Sequence, residues 1–97
     1  MHIIARKTLK DFWDKHSDAE HPLRAWYSET MHAKWSHPKD IKGRYPAASF
    51  LTDNRVVFNV KGNRYRLVIH VRYDLGRVYI RFIGTHAEYD KVNAATI

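Results

Sequence analysis

The stretch "RVVFNVKGNRYRLVIHVRYDLGRVYIRFIG", residues 55–84, carries the fold. Three runs within it repeat with a period of two: "RVVFNV" (55–60), "YRLVIHVRY" (65–73) and "RVYIRFI" (77–83). Side chains alternate across a strand, so each run is a strand with two different faces. The separators "KGN" (61–63) and "DLG" (74–76) are short and contain glycine, which predicts an antiparallel meander. One face gathers Val56, Phe58, Val60, Tyr65, Leu67, Ile69, Val71, Val78, Ile80 and Phe82, a core side that needs covering. The other gathers Asn59, Lys61, Arg64, Arg66, His70, Arg72, Arg77, Tyr79 and Arg81, without one acid.

The cover comes from the N-terminal half. Leu9, Phe12, Trp13 and His16 fall at helical spacing, and "TLKD" (8–11) before them has the form of a capping box. A second helix starts around residues 18–22, where Pro22 is tolerated in the first turn. It presents Leu23, Trp26, Tyr27, Thr30 and Met31 and ends near Trp35. These aromatic stripes are read as core, not as stacking platforms. Residues 36–54 form a connection in which "DIKGRYP" holds one helical turn, and His2–Ala5 forms a short first strand. The expected fold is α+β: two N-terminal helices packed on a small, curved, mainly antiparallel sheet, then a short C-terminal helix from His86.

At 97 residues the chain has room for one domain, residues 1–97. An apolar fraction of 44% argues against disorder. No apolar run approaches the roughly 20 residues of a membrane span, and "MHIIARKTLK" is too short in apolar residues for a signal peptide. Without cysteine, disulfides and thiolate zinc sites are excluded, and a cytoplasmic protein with no membrane association is expected. The net charge is +7, and it is uneven. Residues 1–53 hold nine basic and seven acidic side chains; residues 54–97 hold eight and three. A basic C-terminal half points to a polyanion.

The arginine face gives that polyanion a shape. Like charges on neighbouring strands repel unless an anion lies between them, and the planar guanidinium binds phosphate bidentately. The last strand runs directly into "THAEYDK" (85–91), which brings His86, Tyr89 and Lys91 to one edge of that face. A histidine titrates near neutrality, a tyrosine stacks or passes a proton, and a lysine pairs with phosphate. Such a set suits RNA cleavage without a metal: a base activates the ribose 2′-OH, cations take the growing phosphate charge, and an acid protonates the leaving 5′-oxygen. A solvated, solubilising face is the plain alternative, as is a lone surface histidine. His16 and His21, and His32 and His37, are each five apart and lack further ligands, so neither a metal nor another cofactor is expected. Phosphate-loop, GxSxG and helix-turn-helix patterns are missing.

"VVFNVKGNRYRLVIHVRYD" followed by "VYIRFIGTHAEYDK" resembles the HigB family of bacterial type II toxins, in the RelE/ParE-like superfamily, and "LKDFWDKHSDAEHPLRAWY" resembles its N-terminal helices. The resemblance implies a RelE-like microbial RNase fold, cleavage of mRNA, typically in the ribosomal A site, and neutralisation by a HigA-type antitoxin. It implies that Arg66 and Arg81 take the phosphate charge, His86 transfers a proton and Tyr89 stacks on or orients the substrate. RNA would further be held by Lys61, Asn63, Arg64, His70, Arg72, Arg77, Tyr79 and Lys91. "THAEYD" departs from the arginine- and lysine-rich ending of RelE, which leaves base and acid unassigned. A ParE-like gyrase poison and a non-catalytic RNA-binding module are the alternatives.

Overall fold

The computed structural model describes residues 1–97. The chain runs β1 (His2–Ile4), α1 (Arg6–Lys15), a 3₁₀ turn (Ser17–Ala19), α2 (Glu20–His32), α3 (Pro38–Arg44), β2 (Ser49–Phe50), β3 (Arg55–Val60), β4 (Tyr65–Arg72), β5 (Arg77–Thr85) and α4 (His86–Tyr89). The five strands form one sheet in the order β1-β5-β4-β3-β2. The β2 to β5 strands pair antiparallel, and β1 runs parallel to β5. The expected α+β class and meander are present. The structure adds a third helix, α3, and a two-residue edge strand, β2.

Local chemistry explains the differences. Ala5 takes a left-handed conformation (φ 78°) to turn β1 into α1, so the helix starts at Arg6 and Thr8 lies inside it. The expected box of Thr8 with Asp11 therefore does not form; Asp11 pairs with Lys7 at 2.7 Å. In "SHPKD" the Asp40 carboxylate accepts from the Ser36 and His37 amides at 2.9 and 3.3 Å. With Pro38 in the first turn and Ile41 buried, that is enough for the seven residues of α3.

Helices and sheet meet in one core. Leu9, Trp13, Leu23, Trp26 and Ile41 pack on Val56, Phe58, Val60, Leu67, Ile69, Val71, Val78 and Ile80. Phe58 is met edge-on by Trp26 at 5.6 Å and by Tyr45 at 5.1 Å, a favoured aromatic geometry. Met31, placed in the α2 stripe by spacing, is instead 47% exposed, because the helix ends one residue later.

One strand expectation is corrected. The β4–β5 register slips between Val68 and Ile69: Val68 faces Phe82, Ile69 faces Ile80, and Arg81 has no partner. Such a bulge reverses the alternation of whatever follows. Phe82 thus leaves the core face, and Ile83 packs against the core in its place. On the far face Phe82 joins Val57 and Val68 in a second apolar cluster, covered by Ala94, Ile97, Leu51 and Tyr89. Val57 and Val68 interrupt the face that the arginines suggested was uniformly polar. If this second layer is packed as described, Val68→Ala destabilises the fold by about 1.5–3 kcal/mol, as a core substitution does. Urea unfolding reads this; a change within the roughly 0.5 kcal/mol typical of surface sites would contradict the layer.

Candidate nucleic-acid interface

The face opposite the helices is built in rows, each row set by cross-strand pairing. Asn59, Arg66 and Gly84 form the first row; Val57, Val68 and Phe82 the second; Arg55, His70 and Tyr79 the third; Arg72 and Arg77 the fourth. The apolar second row, with the chain after α4 lying on it, divides the basic face into two ends.

At the first end stands Arg66. Its guanidinium donates to the Asn63 carbonyl at 3.2 Å and the Asn63 side-chain oxygen at 3.4 Å, and lies 6.0 Å from the centre of the Tyr89 ring. Tyr89 leans on Phe82, ring centres 6.4 Å apart. The His86 amide donates to the Arg64 carbonyl at 3.0 Å, which ties the start of α4 to β4. The His86 Nδ1 lies 3.4 Å from an Asp90 carboxylate oxygen. Arg66, Asn63 and Tyr89 thus gather in one place; His86 and Asp90 pair with each other on the adjoining short helix, with Lys91 next along the chain. Asp90 stands four residues after His86 on the helical turn, the spacing at which the two side chains meet.

A four-residue helix does not hold itself. Here the Glu88 amide donates to the Thr85 hydroxyl at 3.1 Å and the Thr85 amide donates to the Glu88 carboxylate at 2.7 Å, a complete capping box. Gly84 supplies space, not torsional freedom. A Cβ there would stand 2.5 Å from the Phe82 ring and 3.1 Å from the Glu88 carboxylate. Any larger residue would push apart the two groups that seat α4.

The second end is differently charged from the sequence picture. Arg55 is buried; it donates to the Asp53 carboxylate at 2.9 Å and, with two nitrogens, to the Ile97 carbonyl at 2.9 and 2.7 Å. Arg81 donates to the same carbonyl at 3.1 Å, so it stands beyond the apolar row and not beside Arg66. Arg72 makes a two-pronged bond to Asp74 at 3.0 and 2.8 Å. His70 lies against Tyr79, ring centres 6.2 Å apart. Burial first, then the Arg55, Arg81 and Arg72 cations, hold its imidazole below the ordinary 6.5, with Asp53 opposing. The His70 and Tyr79 rings are tilted against each other at 32°. Arg77 and Tyr79 complete this end.

Two further residues fall elsewhere. Arg64 pairs with Asp18 at 2.6 Å, and the Tyr65 hydroxyl donates to the other oxygen of that carboxylate at 2.5 Å. This fork joins β4 to the turn ahead of α2 and takes Arg64 away from the Arg66 group. Lys61 is exposed in the β3–β4 turn. The strands carry no acid on this face, as the sequence indicated, but the loops do: Asp18, Asp53 and Asp74 each pair with an arginine.

A small α+β fold with α1 to α3 on one side of its sheet and a cationic, aromatic surface on the other is that of the RelE-like class. Residues 19–92 match the family model HigB_toxin, described as the RelE-like toxic component of a toxin-antitoxin system. The chain is 34% identical to the mRNA interferase toxin HigB of Escherichia coli strain K12 over 92 residues, 93% of this chain and 88% of that protein. Identity to the mRNA interferase HigB of Shigella flexneri is likewise 34% over 92 residues, and to that of Escherichia coli O6:H1 27% over 94 residues. This chain belongs to the HigB toxin family. No helix in it is long and apolar enough to cross a membrane.

The capping box has a pH signature. The Thr85 amide, then its hydroxyl, hold the Glu88 carboxyl below its ordinary 4.5. A depressed carboxyl contributes stability above its unfolded value and loses it as the pH falls through the folded one. The α4 turn should therefore stay seated down to pH 4.5 and loosen only below it. The Thr85 amide shift followed by NMR checks this; a midpoint at or above the ordinary glutamate value would contradict the clamp.

Proposed function

We propose that this chain is the toxin of a toxin–antitoxin pair and an endoribonuclease that cuts mRNA on the translating ribosome, in the A site. The observation that carries this reading is the seating of Arg66 beneath Tyr89 at the end of the face where α4 presents His86. Arg66 receives the scissile phosphate: Asn63 orients its fork, and no carboxylate competes for it. The 2′-hydroxyl loses its proton to a base and attacks the adjacent phosphorus. The bond to the 5′-oxygen breaks, and that oxygen takes a proton from an acid. The products are a 2′,3′-cyclic phosphate and a 5′-hydroxyl. His86, backed by Asp90, serves in proton transfer. Tyr89 stacks on a base beside the cut, and a guanidinium aimed at the phosphate stabilises the charge it gains in the transition state.

The second end extends the footprint. His70 and Tyr79 offer a stacking surface, while Arg72, Arg77 and Arg81 take flanking phosphates in exchange for their present oxygen partners. Lys61 and Lys91 hold backbone phosphates around the first end, and Arg64, paired with Asp18, stands outside it. A HigA-type antitoxin is the partner, and the cytoplasm, where translated mRNA is found, is the compartment.

Mapping of 5′ ends in cellular mRNA after brief induction, wild type beside Arg66→Ala, tests the reading. New ends within translated regions, lost in the variant at equal expression and unchanged folding, are expected. A transition-state cation of this kind is worth roughly 10²–10³ in rate. Growth arrest without new ends would contradict it and point to another target, such as gyrase.

A further inference from the structure

The outer edge of β3 has no part in RNA binding as described above. In an antiparallel pair, alternate residues turn their main-chain groups to opposite sides. The Val71 amide bonds the Asn54 carbonyl at 2.9 Å, and Arg55 bonds outward to Leu51 and Thr52 at 2.8 and 3.4 Å. Residues 55, 57 and 59 therefore aim their N–H and C=O away from β4. Val57 has Ser49 of β2 opposite it, but β2 is only two residues long. The chain before β2 curls away, the Ala48 amide turning back to the Tyr45 carbonyl at 3.0 Å. Asn59 keeps its amide and carbonyl without a protein partner.

Two cavities flank that free position on the helix side. One, of about 260 Å³, lies between α2, α3 and β3 and is walled by Pro22, Trp26, Tyr45 and Phe58. The other, of about 190 Å³, lies beneath Pro46–Ala48 and meets the first at Phe58 and Asn59. Arg44 and Lys61 stand on the rim of the larger one. Arg44 and Tyr45 both bond the Glu29 carboxylate there, and Lys61 has no acid partner.

We propose that this edge receives an extended segment of a partner protein, an apolar–acidic–apolar stretch that adds a strand beyond β3 at Asn59. The pattern follows from strand geometry. A residue directly across from Asn59 shares the face of Asn59 and of Arg66, its cross-strand neighbour. The residues on either side of it point with Phe58 and Val60 into the two cavities. Two inter-strand spacings, roughly 10 Å, separate the added position from Arg66. A glutamate there and the Arg66 side chain can bridge that distance between them, and Lys61 lies closer. Main-chain bonds give such docking its affinity and the cavities its selectivity. The docking surface stands on the edge geometry alone. That its occupant silences the chain, and so is a segment of the antitoxin, rests on the toxin reading above.

The test uses the whole chain and a blocked seven-residue peptide of alternating valine and glutamate, with a second peptide N-methylated at the central glutamate. NMR titration should shift the Asn59 amide and slow its exchange with solvent about tenfold or more, while N-methylation weakens binding about tenfold through loss of the ladder bond. Ala25, exposed on α2, also lines the larger cavity, and Ala25→Phe, which fills it, should lose the peptide and keep RNA cleavage. Equal binding of the N-methylated peptide, shifts confined to the arginine face, or no binding at millimolar peptide would each overturn the proposal. Docking at Asn59 by a chain that never cuts RNA would uphold the edge and sink the nuclease reading. Cutting with an indifferent Asn59 would do the reverse.

Discussion

The slip of register at Arg81 organises the functional side of this protein. Inserting one unpaired residue into β5 turns Phe82 through the sheet, from the helix-covered face to the basic one. There it completes an apolar row with Val57 and Val68, and that row gives Tyr89, Ala94 and Ile97 something to bury against. Without the bulge, the last strand would present a polar side chain at that point. The one-turn helix α4 would then have no apolar seat, and the capping box of Thr85 and Glu88 and the His86 amide bond to Arg64 would be left to hold it.

Charge placement depends on the same division. An arginine pairs with an acid or a carbonyl wherever a loop brings one within reach, and at Arg55, Arg64, Arg72 and Arg81 one does. Arg66 has carbonyl partners as well, and no carboxylate. Its partners are the neutral oxygens of Asn63 and Tyr65, which orient the fork and leave its charge uncompensated. Desolvating a guanidinium already paired with a carboxylate costs more than completing one that lacks an anion. At the second end an incoming phosphate would have to displace loop carboxylates or the Ile97 carbonyl.

Much of this was readable from the residues, and the failures have specific causes. The three long strands follow from the period of two, and Arg66 was singled out both by its place on the basic face and by its match to the toxin family. The position of His86 just past the strand end was equally plain. Phe82 was misplaced because a bulge is invisible to an alternation rule: "IRFI" is apolar at three positions of four and fits either face. Val57 and Val68 were passed over because the arginines around them dominate the pattern. The pairing of Arg64 with Asp18 spans 46 residues, a separation at which no local rule operates. The α3 helix was underestimated because its first turn is capped from a side chain inside the helix, Asp40, and not from a residue ahead of it.

The chemistry of the cut ends tests the central claim most directly. Purified chain incubated with programmed ribosomes and a defined mRNA should leave a 2′,3′-cyclic or 3′-phosphate upstream and a 5′-hydroxyl downstream, as mass spectrometry of the fragments would show. A single 2′-deoxynucleotide at the cut position should block the reaction there. Fragments ending in a 3′-hydroxyl and a 5′-phosphate, or cleavage indifferent to the 2′-deoxy substitution, would mean that water is the nucleophile and that the Arg66–Tyr89–His86 arrangement does not work as described.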